Sequence, residues 1–160
     1  LQDLENTQTF EISHPEADKG SVKISFFGTI DFGRIGEPRL TEDEVLLVAS
    51  PLDIFATKLK VIIQRPSTKD YVDIIRLIKN DESLVEALGA ASVFFGTDFS
   101  PILSLRALSY YDDLLPPLSP SDSSFLKRQV SEALRSLSIK GLEKPALASA
   151  NLSSKEVKNL

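Results

Sequence analysis

The stretch SPLDIFATKLKVIIQRPSTKDYVDIIRLIK, residues 50–79, decides how this chain folds. Ser50-Pro51-Leu52-Asp53 sets a capping hydroxyl, a proline at the first helical position and an acid three residues after the cap, the signature of a helix start. Pro66 stops that helix near Arg65, because a proline pushes the residue before it out of helical geometry. Ser67 or Thr68 caps a second helix with Asp70 in its first turn, reaching about Lys79. With successive residues ~100° apart, Leu52, Ile54, Phe55, Leu59, Val61, Ile62 and Ile63 share one broad apolar arc of the first helix. Asp53, Thr57, Lys60 and Gln64 lie opposite and are expected to face water. Lys58 falls inside the apolar arc. Burying an unpaired ammonium is costly, so Lys58 calls for an anion, either a ligand or an internal ion-pair partner, unless its stem snorkels to the surface.

In the second helix Tyr71, Ile74, Ile75 and Ile78 form the apolar centre, with Val72 and Leu77 at its edges. Asp70 sits on the flank of that face. Asp73, Lys69 and Arg76 share the polar side, at separations where helical side chains meet. A short Pro66-Ser67 turn between antiparallel helices brings Asp70 near Arg65. The spacing leaves open whether Asp70 or Asp73 meets Lys58, and an acid in a first turn also stabilises the helix dipole on its own account.

Before this helical pair the pattern is that of strands. Phe10-Glu11-Ile12 and Val22-Lys23-Ile24-Ser25-Phe26-Phe27 are apolar and β-branched, with a turn over His14-Pro15 to Gly20, so a hairpin is expected. Gly28, Gly33, Gly36 and Pro38 break the next stretch into loop, and residues 44–49 read as a short buried strand. After the pair come a weaker helix over 82–95 ended by Gly96, a fourth over 102–114 opened by Ser100-Pro101 and closed by Pro116-Pro117 and Pro120, and a fifth over 123–139. Leu126, Val130, Ala133, Leu134 and Leu137 make the stripe of the fifth. Strands first and helices after make an α+β chain: a small N-terminal hairpin or sheet remnant over 1–49, a bundle of about five helices over 50–140 and a loose tail over 141–160. So small a sheet needs something to cover or extend it.

Composition narrows the function. The 160 residues carry a net charge of -5, which argues against general nucleic-acid binding. The charge is uneven: residues 53–80 hold three acids and six bases, a positive island in an otherwise acidic chain. Such an island suits a small anionic ligand, or is simply the solvated outer face of two helices. With no cysteine, thiolate zinc sites and cysteine nucleophiles are excluded, and the single histidine, His14, argues against a histidine triad or a multi-histidine metal site. No apolar run approaches the ~18 residues of a membrane span, and the Leu1-Gln2-Asp3 opening lacks a signal-peptide pattern, so a cytoplasmic location is expected. Asp112-Asp113 is read as a solvated pair, and Tyr110-Tyr111 as core plus rim.

The run from Ala49 to Lys60, then Gln64-Arg65, then Lys69-Asp70-Tyr71-Val72-Asp73-Ile74, resembles the AbiEii/AbiGii-type nucleotidyltransferase toxin family. Its members carry an Asp-x4-Lys helix followed by an Arg/Lys-Asp-x2-Asp helix. The strand Val22 to Gly28 and the segment Arg106-Ala107-Leu108-Ser109-Tyr110-Tyr111-Asp112-Asp113 agree with it, in the same order over residues 20–120. The resemblance implies a polymerase beta-like nucleotidyltransferase of toxin–antitoxin or phage-defence systems, using a nucleoside triphosphate and Mg2+, some members acting on tRNA. Carried over, Lys58 would contact the phosphates, with Lys69 and Arg65 beside it, and Asp73 with Asp70 would complete the site. Family members also carry a Gly-Gly/Ser-Thr turn and a strand with an Asp-x-Asp pair that holds magnesium. This chain has neither, and Ser25 stands where a third metal-binding carboxylate is expected. The expectation is therefore the C-terminal portion of such a protein, inactive alone and holding neither metal nor nucleotide tightly. Its expected partners are an antitoxin, a missing N-terminal half or a second copy of itself. The alternative is a helical interaction module completed by itself or by a partner that supplies the missing strands.

Overall fold

A computed structural model describes residues 7–13, 20–27 and 33–142. The chain divides into two units, with the boundary between Arg34 and Ile35. The first contains an antiparallel hairpin of β1 (Thr7–Ser13) and β2 (Ser21–Phe27), in which Phe10 faces Ile24 and Ile12 faces Val22. Alternation puts Phe10, Ile12, Val22, Ile24 and Phe26 on one face, with the Phe10 and Phe26 rings edge to face at 5.9 Å. All five are exposed. The other face carries Thr9, Glu11, Ser13, Ser21, Lys23 and Ser25, with the hydroxyls of Thr9 and Ser25 2.9 Å apart. The expected turn over 14–19, His14 with it, lies outside the described residues, as do residues 143–160 of the tail expected over 141–160, whose first two residues continue the last helix instead.

The second unit opens with a smaller hairpin, β3 (Arg39–Leu40) paired with β4 (Leu47–Val48). The buried strand expected over 44–49 is thus replaced by a two-residue strand at the surface. Its loop is organised by polar groups: Asp43 accepts from the Val45 N–H at 3.2 Å, Thr41 Oγ1 accepts from the Leu46 N–H at 3.1 Å, and Glu44 takes a left-handed φ of 58°. Val45 to Val48 are left exposed, so four consecutive apolar residues here do not mark a core strand.

Five helices follow: α1 (Pro51–Gln64), α2 (Thr68–Lys79), α3 (Leu84–Phe95), α4 (Pro101–Ala107) and α5 (Pro120–Leu142), with a 3-10 turn over Gly96–Asp98. The α+β order is the observed one. α1 is the central helix, packed on α2, α3 and α4, while α5 packs on α3. Phe55, Ala56, Leu59 and Ile62 of α1 meet Tyr71, Ile74 and Ile75 of α2, Ala87, Leu88 and Ala91 of α3, and Leu105 and Leu108. Leu126, Val130 and Ala133 of α5 complete this core, but Leu134, expected on the same stripe, is exposed.

The third helix starts at Leu84 rather than 82 and the fifth runs to Leu142 rather than 139; two further boundaries differ from the sequence expectation for identifiable reasons. The fourth helix ends at Ala107, seven residues early. The Ala107 carbonyl accepts from the Tyr71 hydroxyl at 3.0 Å and from the Tyr110 N–H at 3.1 Å, which tightens the chain out of the α-helical ladder. The fifth helix begins at Pro120 rather than Ser123. Ser119 caps it by accepting the Asp122 N–H at 3.1 Å, so Pro120 starts a helix instead of closing a loop.

Candidate functional site

Lys58 sits two turns into α1, on its apolar arc, and α2 packs against α1. Its ammonium donates to Asp70 Oδ1 at 2.7 Å and to Asp73 Oδ2 at 2.8 Å. The question that spacing left open, which of the two acids meets Lys58, resolves as both. Asp70 and Asp73 are three residues apart on α2 and so face the same way, one turn above the other. Arg65 Nη1 lies 3.9 Å from Asp70 Oδ2, and Arg76 Nη1 lies 3.9 Å from Asp73 Oδ1. The five groups form a line of alternating charge, Arg65–Asp70–Lys58–Asp73–Arg76.

Burial grades along that line. The Asp70 side chain is 8% exposed, Lys58 26% and Asp73 40%, while both arginines are 73% exposed. Asp70 is therefore the anchored acid and Asp73 the solvent-facing one. Burial works to lower the Lys58 pKa, and the hydrogen bonds and charges of Asp70 and Asp73 outweigh it, so the net shift is upward. Lys58 is a fixed cation across the physiological range. Of its three N–H donors, two are committed to carboxylates and one is uncommitted among the described residues.

The sequence-expected cofactor-binding residues divide. Arg65 joins the cluster through Asp70. Lys69, one residue before Asp70, is exposed and makes no side-chain hydrogen bond or ion pair among the described residues. The expected surface acids Asp112 and Asp113 are exposed, and Tyr111 packs edge to face on Tyr71 at 6.2 Å while Tyr110 is exposed.

Asp53 departs from expectation. Its side of α1 was expected to face water, yet Asp53 is buried and accepts the backbone N–H groups of Ile35 and Gly36, each at 3.1 Å. Ser50 Oγ accepts the Asp53 N–H at 3.1 Å, and a Cβ on Gly36 would stand 2.0 Å from that same Ser50 Oγ. Cap, acid and glycine therefore fasten the chain entering the helical unit onto the start of α1. The cap was legible in the sequence. Its partners were not, because they are main-chain groups of residues with no side-chain signal.

The Lys58–Asp70–Asp73 contacts fall on the Asp-x4-Lys and Lys-Asp-x2-Asp elements of the chain. Residues 3–148 match the family described as nucleotidyl transferase AbiEii toxin, type IV TA system. The chain belongs to the AbiEii family. No curated protein and no solved structure matches it. AbiEii membership makes this a nucleotidyltransferase-like chain of a type IV toxin–antitoxin system, a class that implies an antitoxin and generally uses a nucleoside triphosphate and a metal ion.

The Lys58 cluster does not suit that metal ion. Magnesium needs carboxylate oxygens at about 2.0–2.1 Å in an octahedral shell. Here all four oxygens of Asp70 and Asp73 face cationic nitrogens of the protein itself. An anion fits better: three bases against two acids leave the line with one net positive charge, and Lys69 adds a second.

Proposed function

We propose that this AbiEii-family chain supplies the phosphate-contacting part of a nucleotidyltransferase toxin, and that it does not transfer nucleotides alone. The observation that carries the reading is the Lys58 ammonium held by both Asp70 and Asp73, within the region that matches the family. Lys58 meets the phosphates of a nucleoside triphosphate, with Arg65 and Lys69 at the rim, and Asp70 and Asp73 complete the site. Metal chemistry and in-line positioning supply most of the acceleration of phosphoryl-type transfer. The combined motif that brings the metal in this family, a Gly-Ser/Thr turn followed by a strand with an Asp-x-Asp pair, is not found in this sequence. A separate polypeptide segment has to provide them for activity. The acceptor is tRNA, in the cytoplasm.

The test is a titration of nucleoside triphosphate into the chain, with and without magnesium, and into Lys58→Ala and Arg65→Ala. Weak binding in wild type, reduced about tenfold in Lys58→Ala and less in Arg65→Ala, is expected. Absence of binding at every concentration overturns the phosphate-contacting role. Nucleotide transfer to tRNA by the chain alone overturns its dependence on a second segment.

The uncovered apolar face of the β1–β2 hairpin favours a second reading, an interaction module that associates with itself or with a partner. A two-stranded hairpin with an exposed apolar face is marginal in water. Sedimentation of wild type beside Phe10→Thr and Phe26→Thr tests this: association lost in the variants supports it, and a wild type that stays monomeric removes self-association.

A further inference from the structure

The charge line has a middle, and the middle is occupied by the protein. Asp70 Oδ1 and Asp73 Oδ2 converge on one atom, Lys58 Nζ, at 2.7 and 2.8 Å. Two carboxylates from one helix face converging on a single cation is the arrangement a divalent metal ion would ask for. The outer oxygens, Asp70 Oδ2 and Asp73 Oδ1, are turned to Arg65 and Arg76 at 3.9 Å. We propose that the Lys58 ammonium is the resident cation of this cluster, that Asp70 and Asp73 are positioning residues that hold it, and that the carboxylate pair admits a divalent metal ion only when the ammonium is removed.

Exclusion of a metal ion from the pair is electrostatic and geometric, whatever ligand Lys58 faces. A dication placed within bonding distance of both inner oxygens would stand within a few ångströms of a fixed ammonium, where like charges repel strongly in a half-buried setting. Its arrival would raise the five-group cluster from one net positive charge to three. Truncating Lys58 changes both terms. The inner oxygens lose their only close partner among the described residues, and the two arginines, both largely exposed and 3.9 Å from the outer oxygens, screen them weakly. Asp70 is anchored and Asp73 is partly exposed, so Asp73 can adjust to close a shell that water completes. The ammonium is thus what separates a phosphate-facing lysine from a metal-holding acid pair.

Uptake of Mn2+ alone, followed by electron paramagnetic resonance on the full chain, tests the proposal. Wild type and Lys58→Arg, which keeps the charge, are expected to leave the pair metal-free. Lys58→Ala is expected to take up one Mn2+ about tenfold or more tightly than wild type, and the added substitution Asp70→Asn is expected to abolish that uptake. A merely structural role for the three residues would not produce a gain of metal binding. Wild type that takes up one Mn2+ lost in Asp70→Asn overturns the proposal, as does a folded Lys58→Ala with no uptake. If Lys58→Ala fails to fold by circular dichroism, Lys58→Gln replaces it, and the wild-type against Asp70→Asn comparison decides on its own.

Discussion

Replacing Lys58 with methionine separates two physical pictures by the sign of the effect. Were Lys58 a snorkelling side chain on an apolar arc, methionine would fill the same volume and bury more apolar surface, stabilising the chain by about 1 kcal/mol. In the structure the substitution deletes bonds of 2.7 and 2.8 Å to Asp70 and Asp73 and leaves Asp70, 8% exposed, with only a 3.9 Å approach from Arg65 among the described residues. Removing one partner of a buried ion pair costs about 3–5 kcal/mol. The partial exposure of Lys58 and Asp73 and the remaining arginine reduce this to about 2–3 kcal/mol. Urea unfolding should show a lower midpoint at unchanged slope, and the melting temperature should fall by roughly 5–10 °C. Combining Lys58→Met with Asp70→Asn should recover part of the loss, because the uncompensated charge is then gone. A Met variant as stable as wild type, or more stable, refutes the reasoning.

Alkaline pH should destabilise the helical unit. Burial first, and the charge of Tyr111 second, push the Tyr71 phenol up to about 12. A group whose folded pKa is raised contributes stability that is complete below its unfolded value near 10 and is lost as pH climbs through the folded value. About 2–3 kcal/mol should therefore disappear between pH 10 and 12. Lys58, also raised, adds to the loss in the same direction; Tyr71→Phe should flatten the profile measured by urea midpoint against pH. Gly36→Ala places a Cβ 2.0 Å from Ser50 Oγ and 2.4 Å from Ser50 Cβ, and should cost about 1–3 kcal/mol, partly recovered by Ser50→Gly. Asp73→Asn should tighten inorganic triphosphate binding several-fold, roughly two- to fivefold, read by calorimetry, whereas a weakened affinity contradicts the unequal roles of the two acids.

What the sequence made legible follows the reach of helical periodicity. Residues 50–79 specify both helices and their caps locally, so α1 and α2 are placed to within a residue or two, and Lys58 stands out because it lies between Ile54 and Ile62 on the apolar arc, with Arg65 nearby. Periodicity assigns a face, however, and not a partner. Asp53 was assigned to water because its own helix offers it nothing, while its acceptor oxygen is used by N–H groups 17 and 18 residues upstream. The start of α5 was legible and misread: Ser119-Pro120-Ser121-Asp122 repeats the cap, proline and acid spacing of Ser50-Pro51-Leu52-Asp53, but three nearby prolines made a stop the stronger reading. The early end of α4 was not legible at all, since it depends on the Tyr71 hydroxyl reaching the Ala107 carbonyl from a helix 36 residues earlier.

The grading of burial along the charge line assigns different work to the two acids. An anion that approaches Lys58 must compete with whichever carboxylate yields more readily. Asp70 is 8% exposed, accepts from Lys58 on one oxygen and faces Arg65 on the other, so releasing it would strand a buried charge. Asp73 is 40% exposed and can exchange its bond for water at little cost. Phosphate oxygens would therefore take the place of Asp73 at the ammonium, with Asp70 continuing to fix where that ammonium stands. Lys58 then keeps its position whether the second partner is a carboxylate or a phosphate, which is what pre-organised recognition of an anion requires. Removing the Asp73 charge removes the competitor, and removing the Asp70 charge removes the mount; the two neighbouring acids should give opposite changes in anion affinity.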